Sequence, residues 1–414
     1  VRLTYIPNKV LNEQTRDWID TSLAGGNVKS VAVVFQSELN EAATPHVRVS
    51  LDLEDVQVAF APDWPPAKQV YGQFTLDENG ILVQVDTASL ATLDVSDIAI
   101  TLPFSANKVN WLTVSGMVND DLGDVLSVLR TTNLAKTALK PFSAWSASGP
   151  AIGRFDVSIP LDASLGEPVV QLGLQFEDNL LDMRDINLKS SIKQGQINFH
   201  SKKGLSDSFF DVVALGGESH IALQSKQLIN QPMEIIAKMA GSANIYQLLK
   251  WRAMPDLMLD AFTGDVNYQG DLSINRAQEG QIELKLQSRL VGASIGLPEP
   301  LRKSSDQEKA FDFELRSYGE DLLLKMAYDD RYRTRLALHA GTLVGGQLFV
   351  NQPTAFSEEI KAGFELNGQM SAFDWPAWLA YAEPYFPAKD TGIPNTAPFE
   401  IPSWLNNIQF IFDS

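Results

Sequence analysis

Residues Asn110–Leu129 read NWLTVSGMVNDDLGDVLSVL, and the spacing of their apolar residues changes in mid-stretch. Up to Gly116, the residues Leu112, Val114 and Gly116 alternate with Trp111, Thr113 and Ser115, the two-residue period of a strand. Beyond it Leu122, Val125, Leu126 and Leu129 recur at helical spacing. The same passage from strand through glycine to helix returns at Glu234–Trp251, with Gly241 followed by Ile245, Tyr246, Leu248 and Leu249. It returns again at Phe364–Tyr381, with Gly368 followed by Trp375, Trp378 and Leu379. The three glycines recur with a period of about 125 residues, the signature of one structural unit used repeatedly. The expected division is a first unit over 1–115 with an N-terminal helix, units over 116–240 and 241–367, and the start of a further unit over 368–414. A helical stub at Gln14–Leu23 opens the chain without its strand.

The stretches between these passages read as strands. In Val47–Leu53 the apolar Val47, Val49, Leu51 and Leu53 alternate with Arg48, Ser50 and Asp52. At Glu54–Asp55 the phase slips by one and Val56, Val58 and Phe60 continue, which predicts a bulge or tight turn that keeps the apolar face inward. Pro62–Pro66 (PDWPP) is a rigid break, and Asp77–Gly80 (DENG) is a hairpin turn between Gly72–Leu76 and Ile81–Val85. Pro141–Pro150 reads as a Ser/Ala/Gly-rich connector, with strands resuming at Phe155–Ile159. Further turns are expected at Leu165–Pro168, Glu177–Asn179, Gln194–Gly195 and Lys202–Gly204, and Asp329–Asp330 turns into Tyr332–Leu338. In all, roughly 25 short strands and four helical stubs are expected, far above the strand share of an ordinary globular protein.

Composition narrows the function classes. The 414 residues hold 33 Lys and Arg against 51 Asp and Glu, a formal net charge of −18. That balance argues against nucleic acid, whose binding needs a basic face, and against docking on anionic lipid by charge. With no cysteine, disulfides, thiolate metal sites and thiol catalysis are excluded. No apolar run approaches the length of a membrane-spanning helix, and the opening VRLTYIP lacks the apolar core of a signal peptide. A start on Val and an end on Gln409–Phe412 (QFIF), half a strand, lead to the expectation of a piece of a longer protein, any membrane anchor lying outside it.

Many strands carry charge on their polar side, so one sheet face is wet and the other needs covering, yet large covering helices are missing. A single sheet of some 25 strands at about 4.8 Å each would extend on the order of 120 Å. Twisted and curled lengthwise, it would make a trough with an apolar lining. The alternative is a row of separate sandwiches joined at the Pro-rich breaks.

Several stretches resemble a known family. YIPNKVLNEQTRDWIDTSLAGG (Tyr5–Gly26), DVQVAFAPDWPPAKQVYGQFTLDENG (Asp55–Gly80), ASGPAIGRFDVSIPLD (Ala147–Asp162), LVGASIGLPEPLRK (Leu290–Lys303) and GFELNGQMSAFDWPAWL (Gly363–Leu379) are similar to the central region of the AsmA-like envelope proteins, in the YhdP branch. The likeness covers most of the chain, and its motifs are structural. It implies a mainly β fold: an elongated, twisted antiparallel β-sheet curled into an open apolar groove built from repeated units, with short helices between them. It also implies a large protein of the periplasm, anchored in the inner membrane by a helix outside this chain. Such a protein bridges inner and outer membrane and conducts phospholipid, with no enzyme activity.

The residues carry a physical logic of their own for that role. A two-chain lipid has roughly 30 methylenes, each costing about 0.8 kcal/mol to expose, so an open apolar trough lets it move by exchanging one greasy surface for another. The expected lining is Val47, Val49, Leu51, Leu53, Ile282, Leu284, Leu286, Leu290, Phe311, Phe313, Leu336 and Leu338, each of which also suits ordinary core packing. A net charge of −18 disfavours anionic head groups, an effect lessened by zwitterionic lipid or by a basic rim at Arg331, Arg333 and Arg335. Envelope proteins are further expected partners; nucleic acid is not.

Chemistry is not signalled elsewhere. His46, His200, His220 and His339 lack zinc spacing, and the Ser and His of Gly217–His220 (GESH) would point to opposite faces of a strand. Asn119–Asp124 (NDDLGD) suits helix N-capping better than calcium. No metal, cofactor or catalytic set is therefore expected. Trp18, Trp251, Trp375 and Trp378 are expected to cover the sheet, with gating of a groove as the alternative. A non-catalytic scaffold or protein-binding β-module with a filled core is the second reading, and a polysaccharide-active β-solenoid enzyme the third.

Overall fold

A computed structural model describes residues 21–36, 46–60, 64–104, 111–136, 139–161, 164, 166–227, 233–275, 281–352, 356, 361–370, 373–385 and 405–412, the last stretch by its backbone. Residues 14–20 of the stub at Gln14–Leu23, with Trp18, and Pro62 and Asp63 of PDWPP lie outside the described residues. The chain divides into two compact units, 1–208 and 209–414. Both are mainly β, each an open sheet with few and short helices.

In the first unit, β1 (Leu23–Gln36), β2 (His46–Val58), β3 (Ala67–Asp77), β4 (Gly80–Leu90), β5 (Leu93–Pro103) and β6 (Trp111–Asp121) pair in antiparallel succession. The alternation is decisive here, because a one-residue slip would turn every apolar side chain into water. At Asp55 the ladder shifts between Leu53 and Val56, and the residue takes φ 53°. The expected bulge is present, and Val56, Val58 and Phe60 are buried as a result. The DENG turn closes β3 onto β4, with Asn79 N donating to Asp77 Oδ1 at 2.9 Å.

Strand β6 runs directly into helix α1 (Leu122–Thr131), then two 3-10 turns and β7 (Trp145–Ser148). Asp121 caps α1, accepting from Gly123 N at 2.7 Å, and its other oxygen accepts from Gly149 N at 2.6 Å. The NDDLGD stretch is thus a helix cap tied to the following strand. Next come β8 (Pro150–Pro160), β9 (Val169–Met183) and β10 (Leu188–His200); β8 lies between β6 and β9, and β7 pairs with the far end of β9.

Three expectations need correction here. Pro141–Pro150 is not merely a connector, since Trp145–Ser148 are drawn into the ladder of β9. Glu177–Asn179 and Gln194–Gly195 are not turns but lie opposite one another inside β9 and β10. Glu177 and Asp178 are exposed, the latter at φ 55°, whereas Asn179 is fully buried and donates to Pro150 O at 2.9 Å; the true turn falls at 184–187. The chain returns through Lys202–Gly204 into β11 (Gly204–Ala214), within which the two units meet in sequence.

In the second unit, β12 (Gly217–Lys226) and β13 (Glu234–Asn244) pair, and α2 (Ile245–Trp251) and α3 (Asp256–Ala261) connect β13 to β14 (Phe262–Asn275). The ladder continues through β15 (Gln281–Ser288), past the short β16 (Ala293–Ile295) that pairs with the start of β14, to β17 (Phe311–Tyr318), β18 (Asp321–Tyr328), β19 (Tyr332–His339) and β20 (Thr342–Val350). Asp329 and Asp330 both take positive φ, 53° and 56°, the two-residue turn that best matches strand twist. Two further strands, β21 (Gly363–Met370) and β22 (Leu405–Phe412), join in parallel, which the antiparallel expectation missed. Parallel neighbours need a long crossover, and α4 (Trp375–Ala382) lies in the one between β21 and β22.

The strand-to-helix passage therefore occurs at β6–α1, β13–α2 and β21–α4, each helix capped by an acid or amide. Asn244 accepts from Gln247 N and Asp374 from Ala377 N, both at 3.1 Å. Over the helix end of the second unit, Lys303 is only 2% exposed and donates to Ala293 O at 2.7 Å and Ser304 O at 2.9 Å; burial pushes its pKa down.

Candidate functional site

The inner face of the first unit is an apolar furrow. Cross-strand register sets Leu51, Phe74, Val83, Ile100, Val114 and Val157 in one row across six strands. These residues line the furrow with Val28, Leu53, Val56, Val58, Phe60, Val70, Val85, Leu90, Val95, Ile98 and Phe155, among others, and Trp64 stands beside Phe60. Counted with the solvent standing in its mouth, the empty space is ≈ 1220 Å³. Every lining side chain is apolar apart from the Ser22 hydroxyl and the Trp64 indole nitrogen. Such a surface holds hydrocarbon and offers nothing to a polar reactant.

The second unit presents a different apolar face. Leu272, Leu284, Leu315, Leu324 and Leu336 lie opposite one another on β14, β15, β17, β18 and β19. Beside that row run Leu286, Phe313 and Met326. All are half-buried, so this face is neither sealed nor bare. On the other face Lys285, Glu314, Lys325 and Arg335 form a charged row. Glu314 accepts Arg316 at 2.6 Å and Lys325 at 3.5 Å, and Glu283 accepts Lys285 at 2.8 Å and Arg316 at 3.2 Å.

The hydrogen bond from Lys285 holds the Glu283 pKa below its ordinary value and raises that of Lys285 in turn. A depressed carboxyl pKa stabilises the fold above the unfolded value and loses that contribution as pH falls through the folded one. The pair is open to solvent, so Glu283→Gln is expected to cost at most about 0.5 kcal/mol at neutral pH. Its urea midpoint should converge with that of the unaltered chain once the pH drops below the carboxylate range.

Of the residues expected to line a groove, Leu51 and Leu53 line the furrow. Val49 is buried beside them, and Val47 is half-buried at the end of β2. Ile282, Leu284 and Leu286 share one face of β15; register brings Leu336 into the row of Leu284, Phe313 opposite Leu286, and Leu338 into the row of Ile282 through Ser317 and Leu322. Phe311 stands opposite Tyr328 on the same face. Leu290 is apart from these: it is buried with Ile245, Val266 and Ala293 beneath α2. The furrow residues that the expected lining omits include Val28 on β1 and Val56 and Val58 on β2, but most lie on β3, β4, β5, β6 and β8. Their signal was the alternation in Ile81–Val85 and Leu112–Gly116, read only as strand, and the same alternation in Ile98–Leu102.

The remaining candidates have local roles. His46, His220 and His339 pair with Glu78, Asp211 and Asp321 at 3.1, 2.6 and 2.8 Å. The hydrogen bond to Asp321 raises the pKa of His339, and His200 Nδ1 accepts from Lys202 N. Among the described residues no three such side chains gather as a metal site requires, and no helix is long and apolar enough to cross a membrane. In the GESH stretch Ser219 bonds Tyr268 while His220 stacks on Phe209. Arg331 pairs with Asp329, and Arg333 donates to Gln352 O and lies over Phe356.

Trp378 packs on the cluster of Ala261, Ile295 and Leu297 and donates to Glu299 O at 3.1 Å, so it covers the core. From the same helix end, Tyr381 donates to Leu257 O and Tyr385 to Asp260, whose carboxylate pushes the Tyr385 pKa up to about 12. Trp375 stays 55% exposed, and Trp251 carries Arg252 at 5.0 Å from its ring.

The chain is 20% identical over 408 residues to the intermembrane phospholipid transporter YhdP of Escherichia coli (strain K12), an alignment covering 91% of the chain. The chain spans 30% of that relative's length. No solved structure matches it. The family described as YhdP protein matches residues 3–410, and the chain belongs to that family.

Proposed function

We propose that this chain is a periplasmic segment of a bridge-like lipid transfer protein, held in the inner membrane by a helix elsewhere in the protein. In this reading it shields phospholipid acyl chains on their way between inner and outer membrane, each unit offering its apolar face, and performs no catalysis. The division into repeats over 1–115, 116–240, 241–367 and 368–414 belongs to the same reading. The observation that carries it is the furrow lining, apolar from Val28 on β1 to Val157 on β8 and open along its mouth. Roughly 30 methylenes at about 0.8 kcal/mol each make free passage through water cost on the order of 20 kcal/mol. A surface that replaces water along the path removes most of that barrier. The relative's printed role, phospholipid transport between membranes, has the same chemistry. The outward charges favour a head group left in water, and the net charge of −18 favours a zwitterionic one.

Photocrosslinking amino acids at Leu51 and at Leu284 test the reading in cells. Phospholipid adducts at both positions are the expected result. Protein adducts alone would favour a second reading, a protein-binding β-module. One observation speaks for that module: β1, which among the described residues pairs with β2, exposes Val31, Val33, Val34 and Phe35, the last at 66%.

A further inference from the structure

Gly116, the glycine of the first strand-to-helix passage, lies inside β6 on the furrow side, between Val114 and Val118. It makes no turn there. An added Cβ would stand 2.8 and 3.0 Å from Cζ and Cε1 of Phe155 and 3.2 Å from Ile98 Cγ1. Phe155 is its cross-strand partner on β8, so the ring lies back across β6 in the slot that a side chain at 116 would fill. On the same face of β6, Leu112, Val114 and Val118 are buried, whereas Phe155 stays half-buried and lines the furrow. Phe155 and Val157 are also the last strand residues of the lining. Leu172 and Leu174, which follow on the same face of β9, do not contribute to it.

We infer that the Phe155 ring, seated in the slot of Gly116, is the end stop of the furrow and sets the acyl length it accepts. The inference rests on the lipid reading above. It gives two substitutions opposite effects. Phe155→Ala removes the stop and lengthens the apolar path toward Leu172. Gly116→Ala presses Ile98 Cγ1 by a few tenths of an ångström and displaces chiefly the far end of the Phe155 side chain, which pivots at Cα–Cβ, lifting the ring into the furrow and shortening the path. In the double variant Gly116→Ala/Phe155→Ala nothing remains to be lifted, and it should behave as Phe155→Ala does.

The test uses the full protein with a photocrosslinker at Leu53, exposed to vesicles of dilauroyl or of dioleoyl phosphatidylethanolamine. The ratio of the two captured lipids is expected to move at least about threefold toward the long chain in Phe155→Ala, and by a similar factor toward the short chain in Gly116→Ala. An unchanged ratio, or a shift of both single variants in one direction, with capture at Leu53 intact, overturns the stop and leaves the lipid reading standing. Absence of capture of either lipid by the unaltered protein overturns both. A purely structural role for the ring would change the denaturation midpoint of the variants and not the ratio.

Discussion

Leu284→Asp is expected to abolish lipid capture on the second unit while leaving the chain folded. Leu284 sits between Leu272 and Leu315 in the row that runs on to Leu324 and Leu336. It is half-buried, so the carboxylate keeps much of its water and the fold loses only about 1–2 kcal/mol of apolar burial. An acyl chain crossing that point must strip the carboxylate of water, a penalty of several kcal/mol. At 1.4 kcal/mol per factor of ten, about 3 kcal/mol corresponds to a ~100-fold loss. A photocrosslinker at Leu336, in the same row, reads the loss, and Leu284→Met should behave as the unaltered chain does. Full capture with Asp at 284 and an unchanged circular dichroism spectrum would remove the apolar face of β15 from any lipid path.

The largest stability effect is expected at Leu112, which is 0% exposed on β6. It faces Ile159 across the ladder, on the side of the sheet that carries Val114 and Val118. On the β8 side the backbone pairing runs unbroken from Trp111 to Asp121, so the site collapses little when the side chain is cut back. Leu112→Ala should therefore cost about 2–5 kcal/mol, the transfer energy plus a cavity. Urea unfolding followed by tryptophan fluorescence gives the number. A change below about 1 kcal/mol would mean that the sheet relaxes around the gap, and that this face is less tightly packed than its burial indicates.

The contrast between these two residues locates the difference between the units. Leu112 is sealed and Leu284 is half open, although both stand in strands with the same alternation. A leucine in a strand records which face it is on, and nothing more. In the first unit the sheet brings seven strands around one furrow, and its floor residues touch neighbours on several sides. In the second, the strand bodies of β15, β17, β18 and β19 contain no fully buried residue, and the sealed clusters sit at the helix end, around Ile245 and Ala261.

Much of the architecture was legible because its causes are local. The two-residue period marked the strands, the slip at Glu54–Asp55 marked a bulge, and the polar pairs at DENG and Asp329–Asp330 marked hairpins. The capping role of Asp121 followed from where acids sit relative to a helical period. Misreadings came where a local signal has two causes. Glu177–Asn179 looked like a turn because a strand irregularity, with Asp178 at positive φ beside a buried Asn179, uses the same residues as a turn. The parallel pairing of β21 and β22 left no mark in either strand, since pairing direction depends on the route taken between them.

The order of residues alone thus determined that this protein is a chain of amphipathic strands punctuated by short capped helices, because side-chain alternation and capping are properties of a few neighbours in sequence. Only the tertiary structure decided which greasy faces are filled and which are left open, why Leu290 is sealed beneath a helix while Leu284 is not, and that the Phe155 ring occupies the slot of Gly116. Whether an apolar face is covered depends on segments far away in the chain.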